Sequence, residues 1–200
     1  TLTKQFLNLG FSNIFVVLFE RGFDRIRAIE AATDLSLSVS AKVEDLQLDI
    51  SGKWALVTGS SRGIGLIIAT ELSKLGANII LHGRKKDNTT NVEEQCRSSG
   101  VQCLSYGADL SSLEELEEFA GWLQKEAPAI DILYNNAGIS IPSPDGFWGM
   151  PATDFSKSFI TNTVSAIRLS QVLIPGMRKR GFGRVVFASS SIQARPGEMA

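Results

Sequence analysis

Two hundred residues, 44% hydrophobic and 20% charged, suit one globular unit with a sizeable core and exclude a disordered chain. Twenty basic against 21 acidic side chains leave a formal net charge of −1, which argues against the broad basic surface that nucleic acid binding needs. The single histidine, His82, and the two cysteines, Cys96 and Cys103, lack metal-ligand spacing, so no metal site is expected and the thiols read as reduced groups of a cytoplasmic protein.

In the first 49 residues, Phe15, Phe19, Phe23, Ile26 and Ile29 recur at three- and four-residue steps among Glu20, Arg21, Asp24, Arg25 and Arg27. That spacing predicts an amphipathic helix that docks by its apolar face. The apolar run Phe11 to Phe19 is interrupted by Ser12 and Asn13 and closed by Glu20. It falls short of the roughly 20 residues of a membrane span, so no transmembrane segment is expected. The chain starts at Thr1 and its first methionine is Met150, as expected of a processed product or a fragment. Serines and aspartates between 34 and 52 mark a boundary, which divides the chain into an extension, 1–49, partly helical and of unknown role, and a nucleotide-binding domain, 50–200.

From Ile50 onward, short apolar runs alternate with amphipathic stretches. A strand at Trp54–Val57 runs into the glycine-rich turn Thr58 to Gly65 and then a helix to Leu75, with Ile64, Ile67, Ile68, Leu72 and Leu75 on one stripe and Gly76 as its stop. Strands follow at Asn78–Leu81, with His82 a partly packed polar residue at its end, and at Val101–Tyr106. Ser111-x-x-Glu114 reads as a capping box opening a helix whose buried stripe is Leu113, Leu116, Phe119, Ala120 and Leu123. The apolar segment Ile130–Tyr134 ends in Asn135-Asn136-Ala137-Gly138, a helical stretch from Asp154 to Lys179 carries Asn162, and a strand from Gly183 ends in Ser189-Ser190. This alternation predicts an α/β fold with a mainly parallel sheet covered by helices on both faces.

The turn between the first core strand and its helix carries the chemistry. Glycines let the backbone turn tightly and approach a ligand, and the start of the helix presents free N–H groups and a dipole that favour phosphate. A side chain at Gly63 or Gly65 would block that approach. The spacing T-G-x-x-x-G-x-G, followed by N-N-A-G, the helix Asn162 and the strand-end Ser190, resembles the short-chain dehydrogenase/reductase family, notably 3-oxoacyl-carrier-protein reductases and sugar or polyol dehydrogenases.

The resemblance implies a Rossmann-like doubly wound parallel sheet and a nicotinamide cofactor held by Thr58, Gly59, Ser61, Arg62, Gly63, Ile64 and Gly65. Asn135 would brace the sheet, Ala137 and Gly138 would let the cofactor lie against the backbone, and Asp109 would contact adenine. Gly83 falls where NAD users carry an acid, while Arg84 and Arg62 suit the extra phosphate of NADP, so NADP(H) is the expected cofactor. Ser190 would polarise the oxygen of a small carbonyl or alcohol substrate, and Asn162 would anchor a water of the proton relay. Homo-oligomerisation is implied as well.

The sequence departs from the family at the proton donor. The family motif Y-x-x-x-K begins about a dozen residues after the catalytic serine, which passes Ala200, and neither Tyr106 nor Tyr134 is followed by lysine four residues on. The expectation is a domain whose carboxyl-terminal part is missing and which is inactive as written; the alternative is a non-catalytic nucleotide-binding or interaction module. Ile139–Met150, with Pro142, Pro144, Phe147 and Trp148, reads either as a pocket wall or as a packed surface loop.

Overall fold

The computed structural model describes residues 14–20, 27–30, 49–143 and 145–188. Its strands are β1 (Ile14–Glu20), β2 (Arg27–Glu30), β3 (Trp54–Val57), β4 (Asn78–Gly83), β5 (Cys103–Gly107), β6 (Ile130–Asn135) and β7 (Phe182–Ala188). They form one sheet in the order β2-β1-β7-β6-β3-β4-β5. From β5 to β7 all pairs are parallel, whereas β1 is antiparallel to both β7 and β2.

Parallel neighbours need crossovers, and helices supply them: α1 (Gly63–Lys74) after β3, α2 (Thr90–Arg97) after β4, and α3 (Leu113–Lys125) after β5. Between β6 and β7 run α4 (Ala152–Phe159), a π-helical turn (Ile160–Val164) and α5 (Ser165–Arg180). The period-2 alternation of the strands sorts their side chains onto two faces. Ala55, Val57, Ile79, Leu81, Ile132 and Tyr134 pack with Ile68 and Leu72 of α1 and Val92 of α2. Leu56, Ile80, Leu133 and Val185 pack with Leu116, Phe119 and Leu123 of α3 and Leu169, Leu173 and Met177 of α5. A sheet buried on both faces reads as near-continuous apolar runs, which is what these strands show. The chain winds outward through β3, β4 and β5, then returns to start β6 on the other side of β3, so the strand order reverses between β3 and β6 and leaves a crevice at their carboxyl ends.

Three expectations are corrected. The helix read from Phe15, Phe19, Phe23, Ile26 and Ile29 is replaced, within the described residues, by a pair of strands; Phe23 and Ile26 lie outside them. Ile14 to Phe19 is β-branched, aromatic or leucine throughout, a composition suited to a pleated surface, and β7 offers a row of edge hydrogen-bonding groups that β1 meets from Ile14 opposite Ala188 to Glu20 opposite Phe182. In α1 the buried stripe is Ile68, Ala69 and Leu72, with Ile64 45% and Leu75 47% exposed, because the helix starts at Gly63 and turns its small residues to the sheet. The cap of α3 is Ser112, whose Oγ accepts from the Glu115 N–H at 3.3 Å; Ser111 is taken by Asp109 Oδ1, to which it donates from N–H at 2.9 Å and from Oγ at 2.8 Å, and Leu113 is 55% exposed.

Phe119 is fully buried and stacks on both His82 and Tyr106, at centroid distances of 5.1 and 4.6 Å. Phe119→Ala is expected to destabilise the fold by about 3–5 kcal/mol, because a cavity is left between α3 and β4. Urea unfolding followed by tryptophan fluorescence measures this; a loss within 1 kcal/mol, roughly the cost of a volume-conserving swap, would contradict it.

Candidate functional site

At the carboxyl ends of the parallel strands lies a cavity of about 640 Å³, within the range of small-molecule sites. Turns after four strands wall it: Gly59, Ser61, Arg62 and Gly63 after β3, Arg84 and Asn88 after β4, Ala108 to Leu110 after β5, and Asn136 to Ile139 after β6. Of the residues expected at a cofactor, Gly59, Ser61, Arg62, Gly63, Arg84, Asp109, Ala137 and Gly138 line it. Thr58, Ile64, Gly65, Asn135 and Asn162 do not, and Ser189 and Ser190 lie outside the described residues.

The glycine turn is shaped by close approach on one side and open space on the other. A Cβ on Gly65 would stand 2.2 Å from Gly59 O and 2.6 Å from Asn136 Nδ2, so Gly65 is required for packing within the protein rather than by a ligand. Gly63 has φ +57°, and a Cβ there would meet no atom within 4 Å. Gly63 is one of the residues lining the cavity, and no side chain caps the α1 end beside it. Free N–H groups, the positive end of the helix dipole and unfilled space fit the phosphates of a dinucleotide. Thr161, from the π-helical turn, also lines the cavity, and its buried Oγ1 has no hydrogen-bond partner among the described residues.

Thr58 and Asn136 hold this turn in place. Thr58 Oγ1 donates to Tyr134 O at 3.3 Å and accepts from the N–H groups of Asn136 and Ala137 at 3.0 and 2.9 Å. Asn136 Nδ2 donates to Thr58 O at 3.0 Å and Gly59 O at 3.3 Å. The bracing role expected of Asn135 therefore falls on Asn136. Asn135 is still in β6, paired opposite Phe187, and its buried amide has no hydrogen-bond partner among the described residues. Thr58 is buried against β6, and Ile64 is 45% exposed in the first turn of α1.

Asn162 sits in the π-helical turn, where its Oδ1 accepts from the Ile139 N–H at 2.8 Å and its Nδ2 donates to Ile139 O at 2.9 Å. The amide thus fixes the path of the chain as it leaves Gly138. Ile139 lines the cavity, whereas Trp148 is 92% exposed, and Pro144 lies outside the described residues.

Charge at the rim is uneven. Arg62 and Arg84 are exposed and form no salt bridge among the described residues, and residue 83, which also lines the cavity, is a glycine rather than an acid. Hydrogen bonds from the Ser111 N–H and hydroxyl, with the nearby charges of Arg84 and Lys157, hold the Asp109 carboxyl below the usual carboxylate range. Its own N–H donates to Glu115 Oε2 at 2.7 Å, so the loop is fixed from both ends. Neither tyrosine reaches the cavity: Tyr106 packs on Phe119 and Trp122, and Tyr134 is buried in β6, where desolvation pushes its phenol up.

The residue that sequence reasoning undervalued is His82. It is 2% exposed, yet it contributes to the cavity wall. Its Nδ1 lies 3.1 Å from the Gly59 N and its Nε2 3.0 Å from Ala108 O. An amide can only donate and a carbonyl only accept, so the ring is neutral with its proton on Nε2. Burial pushes its pKa down to about 4, against the opposing effects of the Ala108 hydrogen bond and the Asp109 charge.

Residues 53–200 match the short chain dehydrogenase family. The chain belongs to that family. D-beta-hydroxybutyrate dehydrogenase of Cupriavidus necator is 34% identical over 143 residues, covering 71% of this chain and 54% of the relative. 7alpha-hydroxysteroid dehydrogenase of Escherichia coli is 33% identical over 147 residues, covering 74% and 56%. Among solved structures, 3-oxoacyl (acyl-carrier-protein) reductase from Agrobacterium tumefaciens with NADP bound superposes with a TM-score of 0.62 at 34% identity, covering 68% of this chain and 52% of that one. L-sorbose reductase from Gluconobacter frateurii, complexed with NADPH and L-sorbose, gives 0.61 at 33% identity, covering 67% and 51%. The chain spans about half the length of the curated relatives it matches. Within this short chain dehydrogenase fold, among the described residues, no cluster of potential metal ligands is found and no helix is long and apolar enough to cross a membrane.

A pH dependence of stability follows from His82. Unfolded, its imidazole takes up a proton near pH 6.5; folded, only near 4. The unfolded state therefore binds more protons between these values, so the contribution is present in full above about pH 6.5, falls with pH, and is gone by about pH 4, a difference on the order of 3 kcal/mol. Asp109 is the titratable group acting on the ring; Gly59, Ser60, Ala108 and Phe119 around it do not titrate. Urea unfolding at pH 7 and pH 5 is expected to show the loss in the unmodified chain and a flatter profile in His82→Phe.

Proposed function

We propose that residues 50–200 are the NADP(H)-binding part of an oxidoreductase that transfers a hydride between nicotinamide and a small carbonyl or alcohol substrate, with 1–49 as an extension. The observation that carries this reading is the pair Arg62 and Arg84 on the cavity rim, free of salt bridges among the described residues, with glycine at position 83. An arginine fork suits a phosphate, and an acid at position 83 would repel one. The relatives solved with NADP or NADPH support the same choice.

When bound, the cofactor supplies the hydride. The chain would supply its position: the α1 end and Gly63 at the phosphates, Ala137 and Gly138 as a flat backbone surface, and Asp109, held ionised, at the adenine end. Asn162, anchored on Ile139, would order the proton relay, and Ser190 would polarise the substrate oxygen. Buried free thiols at Cys96 and Cys103 support a cytoplasmic protein, and the exposed Phe155, Phe159 and Ile167 along the α4–α5 run support a homo-oligomer. A non-catalytic nucleotide-binding module is the second reading, favoured by the placement of both tyrosines away from the cavity.

The direct test is titration. The chain is expected to bind NADP+ more tightly than NAD+, and Arg84→Ala to weaken NADP+ by about 1.5–3 kcal/mol while leaving NAD+ nearly unchanged, since one charge-assisted phosphate contact is removed. Equal or tighter NAD+ binding by the unmodified chain would sink the assignment.

Catalysis is a separate expectation. These 200 residues contain no Y-x-x-x-K pair, so NADPH oxidation with ketones, aldehydes and oxoacyl thioesters is expected to stay at background, short by at least the 10²–10⁴-fold, roughly, that a positioned general acid contributes. Steady turnover by the purified chain, lost in Ser190→Ala, would overturn this.

A further inference from the structure

β4 lies between β3 and β5, and its His82 meets the turns that follow both of them. On the β3 side, Gly59 N–H donates to Nδ1, Ser60 N–H donates to His82 O at 2.9 Å, and His82 N–H donates to Ser60 Oγ at 2.9 Å. On the β5 side, Nε2 donates to Ala108 O, whose next residue is the cavity carboxylate Asp109. A neutral imidazole carries an acceptor and a donor on opposite sides of one rigid ring, so it can bridge an amide and a carbonyl that face each other across a strand. Phe119 stacks on the same ring at an interplanar angle of 22° and fixes its plane.

We propose that His82 is a positioning residue for the cofactor site, a ring that spaces the glycine turn from the Asp109 loop and thereby sets the width of the cavity between its phosphate and adenine ends. Its link to nucleotide binding rests on the reading of the cavity as an NADP(H) site; the bridge itself does not. The Gly59 carbonyl already fills the place a Gly65 side chain would need, so the turn cannot move toward α1, and His82 closes its remaining freedom toward β4. Without the imidazole, the Gly59 amide and the Ala108 carbonyl lose a buried partner at once.

The test separates spacing from simple stability with three variants of the full chain. His82→Phe keeps an aromatic ring on Phe119 and removes both side-chain bonds; His82→Asn restores an acceptor where Nδ1 lies; His82→Gln restores a donor near Nε2. Amide hydrogen exchange at Gly59, read by NMR, is expected to quicken in His82→Phe and His82→Gln and to return toward the unmodified rate in His82→Asn. The Kd for NADP+ is expected to rise about tenfold or more in His82→Phe, the equivalent of one lost hydrogen bond, with His82→Asn recovering most of it. Unchanged Gly59 exchange in His82→Phe overturns the proposal, as does equal weakening of NADP+ binding in the Phe and Asn variants when both keep the unmodified thermal midpoint. If the unmodified chain does not bind NADP+, the cofactor reading fails instead, and Gly59 exchange across the three variants still decides whether the bridge exists.

Discussion

Two stretches of backbone, the turn after β3 and the end of β6, run so close together that no side chain fits between them. A Cβ on Gly65 would stand 2.6 Å from Asn136 Nδ2, and a Cβ on Gly59 would stand 2.9 Å from Ala137 Cα. This contact is possible because β3 and β6 are adjacent where the strand order reverses, and it fixes where α1 begins relative to the rest of the sheet. Gly63, with open space beside it, and the uncapped first turn of α1 then stand at the crevice. Loss of that approach would misplace the helix end, and with it the electrostatic feature best suited to phosphate.

Such a dense turn carries polar backbone groups into a dry interior, where each must find a partner. The molecule meets this with side chains from neighbouring strand ends: Thr58 Oγ1 and Asn136 Nδ2 toward β6, Ser60 Oγ and His82 Nδ1 toward β4. The same bonds that satisfy the turn also fix the cavity wall. His82 is the most constrained of these groups, because only its neutral form can accept from Gly59, and burial keeps it neutral well below physiological pH. Stability and site geometry are therefore coupled through one titratable ring.

The second core face makes a comparable link. Phe119 of α3 supports His82 and Tyr106, so packing between helix and sheet reaches the cavity within one layer of side chains. The asparagine amide of the π-helical turn does the same from the other flank, holding Ile139 by both of its backbone groups. At the far edge, β7 is covered by β1, whose residues had a helical spacing in the sequence but took the strand pairing that the edge offered.

The sequence by itself determined the strand-turn-helix at Trp54 to Lys74 and the β-α alternation after it, because local periodicity and glycine spacing act over a few residues at a time, while eight of the residues that line the cavity were legible through the family resemblance of its motifs. Its motif placed the bracing role on Asn135, the first of two identical residues in a row; the pleat of β6 and the proximity of Thr58 assigned it to Asn136. It read His82 as an ordinary partly packed residue, since its partners, Gly59 and Ala108, are 23 and 26 positions away. The strand at Ile14 to Glu20 was decided by the edge of β7, more than 160 residues along the chain. What only the tertiary structure decided has one physical cause: backbone and buried hydrogen-bonding groups take the partner that is nearest in space, and in this sheet, in its parallel part and at the antiparallel β1–β7 pair alike, that partner comes from a distant part of the chain.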